Sequence, residues 1–299
     1  MQVHKLLNID EFREKYNIPE ALFYRYQVAY DEKIYFIMTT KENNRTKYHY
    51  FRITFDWDEG KVLEVERFYF KDEGKWVYHW CLFHDYFLLV EPRIDAYKKV
   101  PNAHIADKDG NIVESIFIGD GVGECCTTPN GRIVAGYVDE GIFDEWNKVA
   151  KGGLTIWDEN GRWIWKNRKY GIWYCYALTL DPCKRVWCYY YGSCKDDYSS
   201  HFHLVCYKKD GDLVFTPDIK GSDGVAVSKD YKRLLLGGGF RDKEAVYSYD
   251  MDCEKQVLFN KQKEKFILDG KGIEFYRYVL SRDKVFLHME DGTIVTGTL

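Results

Sequence analysis

A repeat of about fifty residues runs through the chain, and a period of that length constrains the fold more than any single motif. Six times an aromatic or apolar segment meets a short polar turn and resumes as a second apolar segment. Tyr24–Ala29 turns at Asp31 into Ile34–Met38, Val77–Phe83 at Asp85 into Phe87–Val90, and Cys125–Thr128 at Pro129-Asn130-Gly131 into Ile133–Tyr137. Tyr174–Leu180 then turns at Asp181 into Val186–Tyr190, Gly224–Ser228 at Asp230 into Leu234–Gly238, and Phe275–Leu280 at Asp283 into Val285–His288. The turn positions 31, 85, 130, 181, 230 and 283 lie 54, 45, 51, 49 and 53 residues apart. A second series, Glu59-Gly60, Asp109-Gly110, Asn160-Gly161, Asp210-Gly211 and Asp252-Cys253, keeps the same period. Asn-Gly and Asp-Gly supply the positive φ that a tight turn between twisted strands requires.

Each period therefore holds four short strands, the count of one propeller blade. The 25 Tyr, 18 Phe and 9 Trp agree, because aromatic side chains favour pleated surfaces. The expected fold is all-β: a single domain over 1–299, a six-bladed β-propeller with four antiparallel strands per blade, and blades at about 22–70, 76–118, 122–166, 173–216, 222–259 and 273–299. The sixth blade runs out after three strands at Ile294–Thr298. Val3–Leu7, within residues 1–7, is expected to supply the fourth and so close the ring without leaving open edges. One short helix should follow, with Asn8 as N-cap, Glu11 reaching back to it, and Ile9, Phe12 and Tyr16 on one face, ending near Asn17 and Pro19.

The stretch Thr127-Thr128-Pro129-Asn130-Gly131-Arg132-Ile133-Val134-Ala135-Gly136-Tyr137 resembles the strand-turn-strand step of bacterial sensor-type repeats in the six-bladed β-propeller superfamily. Continued through Val138-Asp139-Glu140-Gly141-Ile142-Phe143, it is similar to a group of uncharacterised bacterial propellers. The resemblance implies a fold and little about function. The Trp-Asp ending of WD40 repeats and the Tyr-Trp-Thr-Asp signature of another propeller class are absent.

Net charge is −4 with no long basic stripe, which argues against nucleic-acid binding and points to a protein or small-molecule ligand. No apolar run is long enough to span a membrane, and the first residues do not read as a secretory signal. Nine cysteines, two of them adjacent at Cys125-Cys126, read as reduced thiols of a cytoplasmic monomer.

In a propeller the innermost strands line a channel, and the longer connections gather on one face. The longest, Asp139 to Gly153, carries Asp139, Glu140, Asp144, Glu145 and Trp146. It reads either as a solvated acidic loop or as a binding loop for a basic or amphipathic partner. Three carboxylates, Glu124, Asp223 and Glu274, precede or open innermost strands. They either satisfy strand-entrance N–H groups or converge as ligand-binding residues, in the second case able to hold Ca²⁺ or Mg²⁺. A metal site there would resemble the calcium-dependent lactonase-like propellers, whose Asn ligands have no match here. The leading expectation is a non-catalytic binding or protein-interaction module without a cofactor, and the alternative is a metal-dependent hydrolase or lactonase-like enzyme.

Other motifs yield less. Gly119-Asp120-Gly121-Val122-Gly123 lacks dinucleotide-loop spacing, and Asp107-Lys108-Asp109-Gly110-Asn111 falls at a repeated turn instead of forming a calcium loop. Cys188, Cys194, His201, His203 and Cys206 are close in sequence but lack a CxxC pair, so packing is the expected role over zinc. Trp157, Trp163 and Trp165 are expected in a blade core, whereas a sugar-binding lectin would need its aromatics exposed.

Overall fold

A computed structural model describes residues 1–42, 45–71, 75–194 and 197–299, with backbone alone at 22, 23 and 197–199. Six four-stranded antiparallel sheets stand in a ring, each running from its innermost strand A to its outermost strand D. Blade 1 is Ala21–Val28, Ile34–Glu42, Arg45–Asp56 and Lys61–Phe68. Blade 2 is His79–Phe83, Tyr86–Val90, Ala103–Ala106 and Ile112–Ile116. Blade 3 is Val122–Thr128, Arg132–Tyr137, Leu154–Trp157 and Trp163–Lys166. Blade 4 is Gly171–Leu180, Val186–Cys194, Asp197–Tyr207 and Leu213–Phe215. Blade 5 is Val225–Val227, Arg233–Gly237, Val246–Asp252 and Val257–Lys263. Blade 6 takes strands A to C from Arg277–Ser281, Lys284–His288 and Thr293–Thr298, and its strand D from His4–Asn8.

The ring closes non-covalently. His4 pairs with Thr296, Lys5 with Val295, Leu7 with Ile294 and Asn8 with Thr293, with a bulge that lets Leu6 turn inward and become buried. Val3 is wholly buried, and its N–H reaches the Ile267 carbonyl at 2.9 Å. Helix α1 (Ile9–Tyr16) follows. Asn8 Oδ1 accepts from the N–H groups of Asp10 and Glu11, and Asn17 ends the helix in the left-handed region. Phe12 lies on Phe51 at 4.8 Å, which ties the helix to blade 1. Glu11 does not reach back to its cap; its carboxylate faces Lys5 at 3.6 Å, because the adjacent strand supplies a cation on that side.

The turns explain the period. In the C-to-D turns Asp56, Asp107, Asp158 and Asp252 each accept two backbone N–H groups through Oδ1. Asp107 is thus occupied by Asp109 and Asn111, the turn role expected of it. Every A-to-B turn holds one residue at positive φ: Glu32, His84, Gly131, Lys184, Tyr231 and Arg282. Only blade 3 uses glycine there, so five turns accept the modest strain of a non-glycine side chain because strands on both sides fix the geometry.

Two further expectations are corrected. The Asp139–Gly153 connection is not all loop: it contains helix α2 (Asp139–Phe143) and a 3-10 turn at Ala150–Gly152. Trp157 is buried, but Trp163 and Trp165 are 42% and 37% exposed. Alternation fixes the side a residue faces, not whether a neighbour covers it, and strand D of blade 4 has only three residues with which to do so. No helix among the described residues is long and apolar enough to cross a membrane.

Candidate functional site

The face bearing the D-to-A and B-to-C connections opens into a central cavity of about 590 Å³. Blade 1 sends Arg25 across the inner end of blade 2 to blade 3, where one guanidinium nitrogen donates to both oxygens of Glu124 at 2.9 and 3.0 Å. The Arg25 guanidinium also lies 4.2 Å from the centre of the Tyr78 ring. His79, between them, places Nε2 3.1 Å from the Gly123 carbonyl. Burial, with Arg25 nearby, holds this imidazole well below its ordinary pKa, so it is neutral at pH 7. Burial pushes the Glu124 carboxyl above the usual range, against the opposing pull of Arg25.

On the opposite wall, the Tyr278 hydroxyl donates to Asp223 Oδ1 at 2.6 Å. Burial and Asp223 together raise the Tyr278 pKa, keeping the phenol protonated as the donor. Gly237 makes room for this pair: a Cβ there would lie 1.8 Å from the Tyr278 oxygen. Tyr174, Tyr176 and Phe240 supply aromatic wall, and Lys243 supplies a cation.

The B-to-C connections of blades 2 and 3 form one shoulder of the mouth. Asp120, itself buried, accepts from the Ile94 N–H at 2.6 Å and from Arg93 Nε at 3.3 Å, and Arg93 lies 3.7 Å from Glu140. Asn147 donates to the carbonyls of Asp120 and Gly141 at 2.6 and 3.0 Å, which pins helix α2 against the glycine turn. Gly121 is needed for this approach: a Cβ would lie 2.6 Å from Gly141 backbone atoms. On this framework Trp146 meets Tyr97 edge to face at 5.0 Å. Tyr97, Phe143 and Trp146 are 67%, 64% and 62% exposed.

The far end of the channel is narrow. The A-to-B turn of blade 6 crosses it: the Arg282 N–H donates to Thr179 Oγ1 at 2.7 Å, its carbonyl accepts from Val227 at 2.7 Å, and its guanidinium donates to Glu32 at 2.5 Å. Arg282 is buried, and a void of only about 20 Å³ is lined by Val28, Thr179 and Ser281 at this end.

Of the carboxylates singled out in the sequence, Glu124 and Asp223 line one cavity, but Glu274 does not. Glu274 is exposed, ahead of a strand that begins at Arg277, because a small hairpin of Ile267–Leu268 with Lys271–Gly272 diverts the chain before it. Asp139 and Glu140 are exposed on helix α2 beside Trp146. Among the described residues no three His, Cys, Asp or Glu side chains gather as a metal site, and this includes the cysteines and histidines of blade 4. Arg25, Tyr78, His79 and Tyr278 were missed. A signal existed for two of them: Arg25 and His79 stand six residues before turn positions 31 and 85, the same offset as Glu124 before 130.

Fold and cavity define a six-bladed β-propeller whose central mouth is lined by aromatic and charged side chains. In sequence no family model and no curated protein matches the chain. Several solved structures share its fold. Hydrazine synthase of Kuenenia stuttgartiensis is similar with a TM-score of 0.53 and 11% identity over 92% of this chain and 82% of that one. A functionally unknown protein from Desulfotomaculum acetoxidans gives a TM-score of 0.51 and 10% identity over 94% and 84%. The β-propeller domain of Cps50 (Swd1) from Myceliophteria thermophila gives 0.50 and 12% over 92% and 82%. At such identities the likeness is one of fold alone, and a propeller scaffold supports many unrelated functions.

Proposed function

We propose that the chain is a non-catalytic binding module that receives a basic or amphipathic segment of a partner protein on the long-connection face. The observation that carries this reading is the exposed aromatic trio Tyr97, Phe143 and Trp146 beside carboxylates Asp139, Glu140, Asp144 and Glu145. Apolar side chains of the ligand cover the aromatics, its cations meet the carboxylates, and one side chain enters the cavity between Glu124 and Asp223. Nine free thiols, including Cys175 and Cys188 with sulfurs 3.7 Å apart and unbonded, support placement in the reducing cytoplasm.

The test uses a fluorescein-labelled peptide of alternating Lys and Leu and its Glu-Leu counterpart, read by anisotropy. The Lys peptide should bind in a salt-sensitive manner and lose about tenfold in affinity when Asp139, Glu140 and Trp146 become Ala. Equal affinity for wild type and variant would remove the reading.

A hydrolase or lactonase-like reading draws on Glu124 and Asp223 sharing the cavity. Against it, Arg25 engages both Glu124 oxygens and Tyr278 engages Asp223, which takes the free carboxylate pair that metal or acid-base work needs. Thermal stabilisation by Ca²⁺ or Mg²⁺ that disappears in Asp223→Ala would reverse this preference.

A further inference from the structure

The outer flank between blades 3 and 4 contains a groove of about 960 Å³, away from the central mouth. Its apolar walls include Leu154, Ile156, Trp163, Ile164, Trp165 and Tyr207. Trp163, Ile164 and Trp165 are consecutive and 42%, 45% and 37% exposed, so both sides of this outermost strand show apolar surface. Contiguous exposure of this kind marks a binding surface more often than a solvated one.

The rim has the opposite charge sign to the chain as a whole. Lys166, Arg168, Lys169 and Lys208 border the groove, with Asp212 the one carboxylate among its lining residues. Asp212 is already held by Lys169 at 2.7 Å and by the Tyr170 hydroxyl at 2.9 Å. Lys166 lies 5.1 Å from the centre of the Trp163 ring and donates to the Lys148 carbonyl at 2.8 Å. Burial, then repulsion from Arg168 and Lys151, lowers the Lys166 pKa.

Trp163 Nε1 donates to the Trp165 carbonyl at 2.9 Å, which ties the indole to its own strand. Recognition here runs through side chains: aromatic walls call for apolar groups, and spaced cations call for separate carboxylates.

We propose that this groove docks an acidic, apolar-bearing segment of a partner protein, its carboxylates on Lys166, Arg168 and Lys208 and its apolar side chains between Trp163, Trp165 and Tyr207. The groove is opposite in sign to the acidic shoulder of the central mouth, and the two sites act on different partners or different parts of one.

The probe is a fluorescein-labelled peptide in which Glu alternates with Leu and Phe, titrated with the full chain and read by anisotropy and tryptophan quenching. Binding should weaken with salt and fall about tenfold both in Arg168→Glu/Lys208→Glu and in Trp165→Ala. The charge-reversed variant should keep the wild-type melting temperature, because its changes lie on the rim. The Asp139→Ala/Glu140→Ala/Trp146→Ala variant should bind this peptide unchanged, which separates this site from the central one. No binding by the wild type, or wild-type affinity in either groove variant, overturns the proposal. So does equal affinity for poly-Glu, heparin or phosphatidylserine vesicles, which would make the flank a general polyanion surface. Self-association lost in Arg168→Glu/Lys208→Glu would place a second copy in the groove and overturn it as well.

Discussion

Replacing Arg25 with Met would leave the Glu124 carboxyl in the cavity wall without its cation. Breaking a fully buried pair from one side costs about 3–5 kcal/mol. Here the two side chains keep 20% and 21% of their surface, so solvent screens part of the loss and about 2–3 kcal/mol is expected. In a chain of this size that lowers the melting temperature by about 3–5 °C. The penalty has a pH signature. Burial already holds the Glu124 carboxyl above its usual range, and removing Arg25 takes away the opposing pull. A carboxyl whose folded pKa exceeds the unfolded value contributes most at low pH and loses stability as pH rises through the folded pKa. Arg25→Met should therefore be hurt more at pH 8 than at pH 5. The assay is thermal and urea unfolding of wild type, Arg25→Met, Glu124→Gln and the double variant at both pH values. The double variant should recover at least half of the Arg25→Met loss. A coupling energy below about 0.5 kcal/mol, or a penalty indifferent to pH, would refute the reasoning.

Leu6→Ala should cost about 2–3 kcal/mol by emptying the inward bulge, and deletion of residues 1–8 should produce aggregation through the bared edge of Thr293–Thr298, read by light scattering. His288, between the hydroxyls of Tyr24 and Tyr26, has its pKa lowered to about 3 by burial and by Arg277. The unfolded imidazole takes a proton that the folded one refuses, so stability is full above the unfolded pKa of about 6.5 and falls as pH drops towards 3. His288→Gln should flatten that slope by up to about 1.4 kcal/mol per pH unit, measured by urea unfolding between pH 7 and pH 4. Cys183 is the exposed member of the nine free thiols, so a thiol reagent should titrate one group rapidly, and Cys183→Ser should abolish that phase.

The repeat was legible because five of the six blades write two independent signals into the sequence, and blade 6, whose strand D comes from His4–Asn8, writes one. Apolar segments bracket the A-to-B turns, and Asp or Asn stands at the C-to-D turns, where the structure finds Asp56, Asp107, Asp158 and Asp252 binding backbone N–H groups. Closure by the first strand followed from counting strands in the last blade. The cavity was only partly legible. Glu124 and Asp223 stood out as carboxylates near glycines, but Arg25 and His79 carried no such marker and emerge only when the innermost strands are aligned on their turns. Tyr278 depends on space left by Gly237, a contact between blades that no local pattern encodes. Glu274 was misplaced because the hairpin before it has no counterpart in the other repeats.

The turn at Arg282 makes the channel a cup and not a pipe. A long polymer cannot be threaded through it, so whatever enters presents a terminus, a loop or a single projecting side chain. Entry and exit share one doorway, and anything bound across Trp76 and Phe240, exposed side chains of its lining, also governs the escape of what lies within.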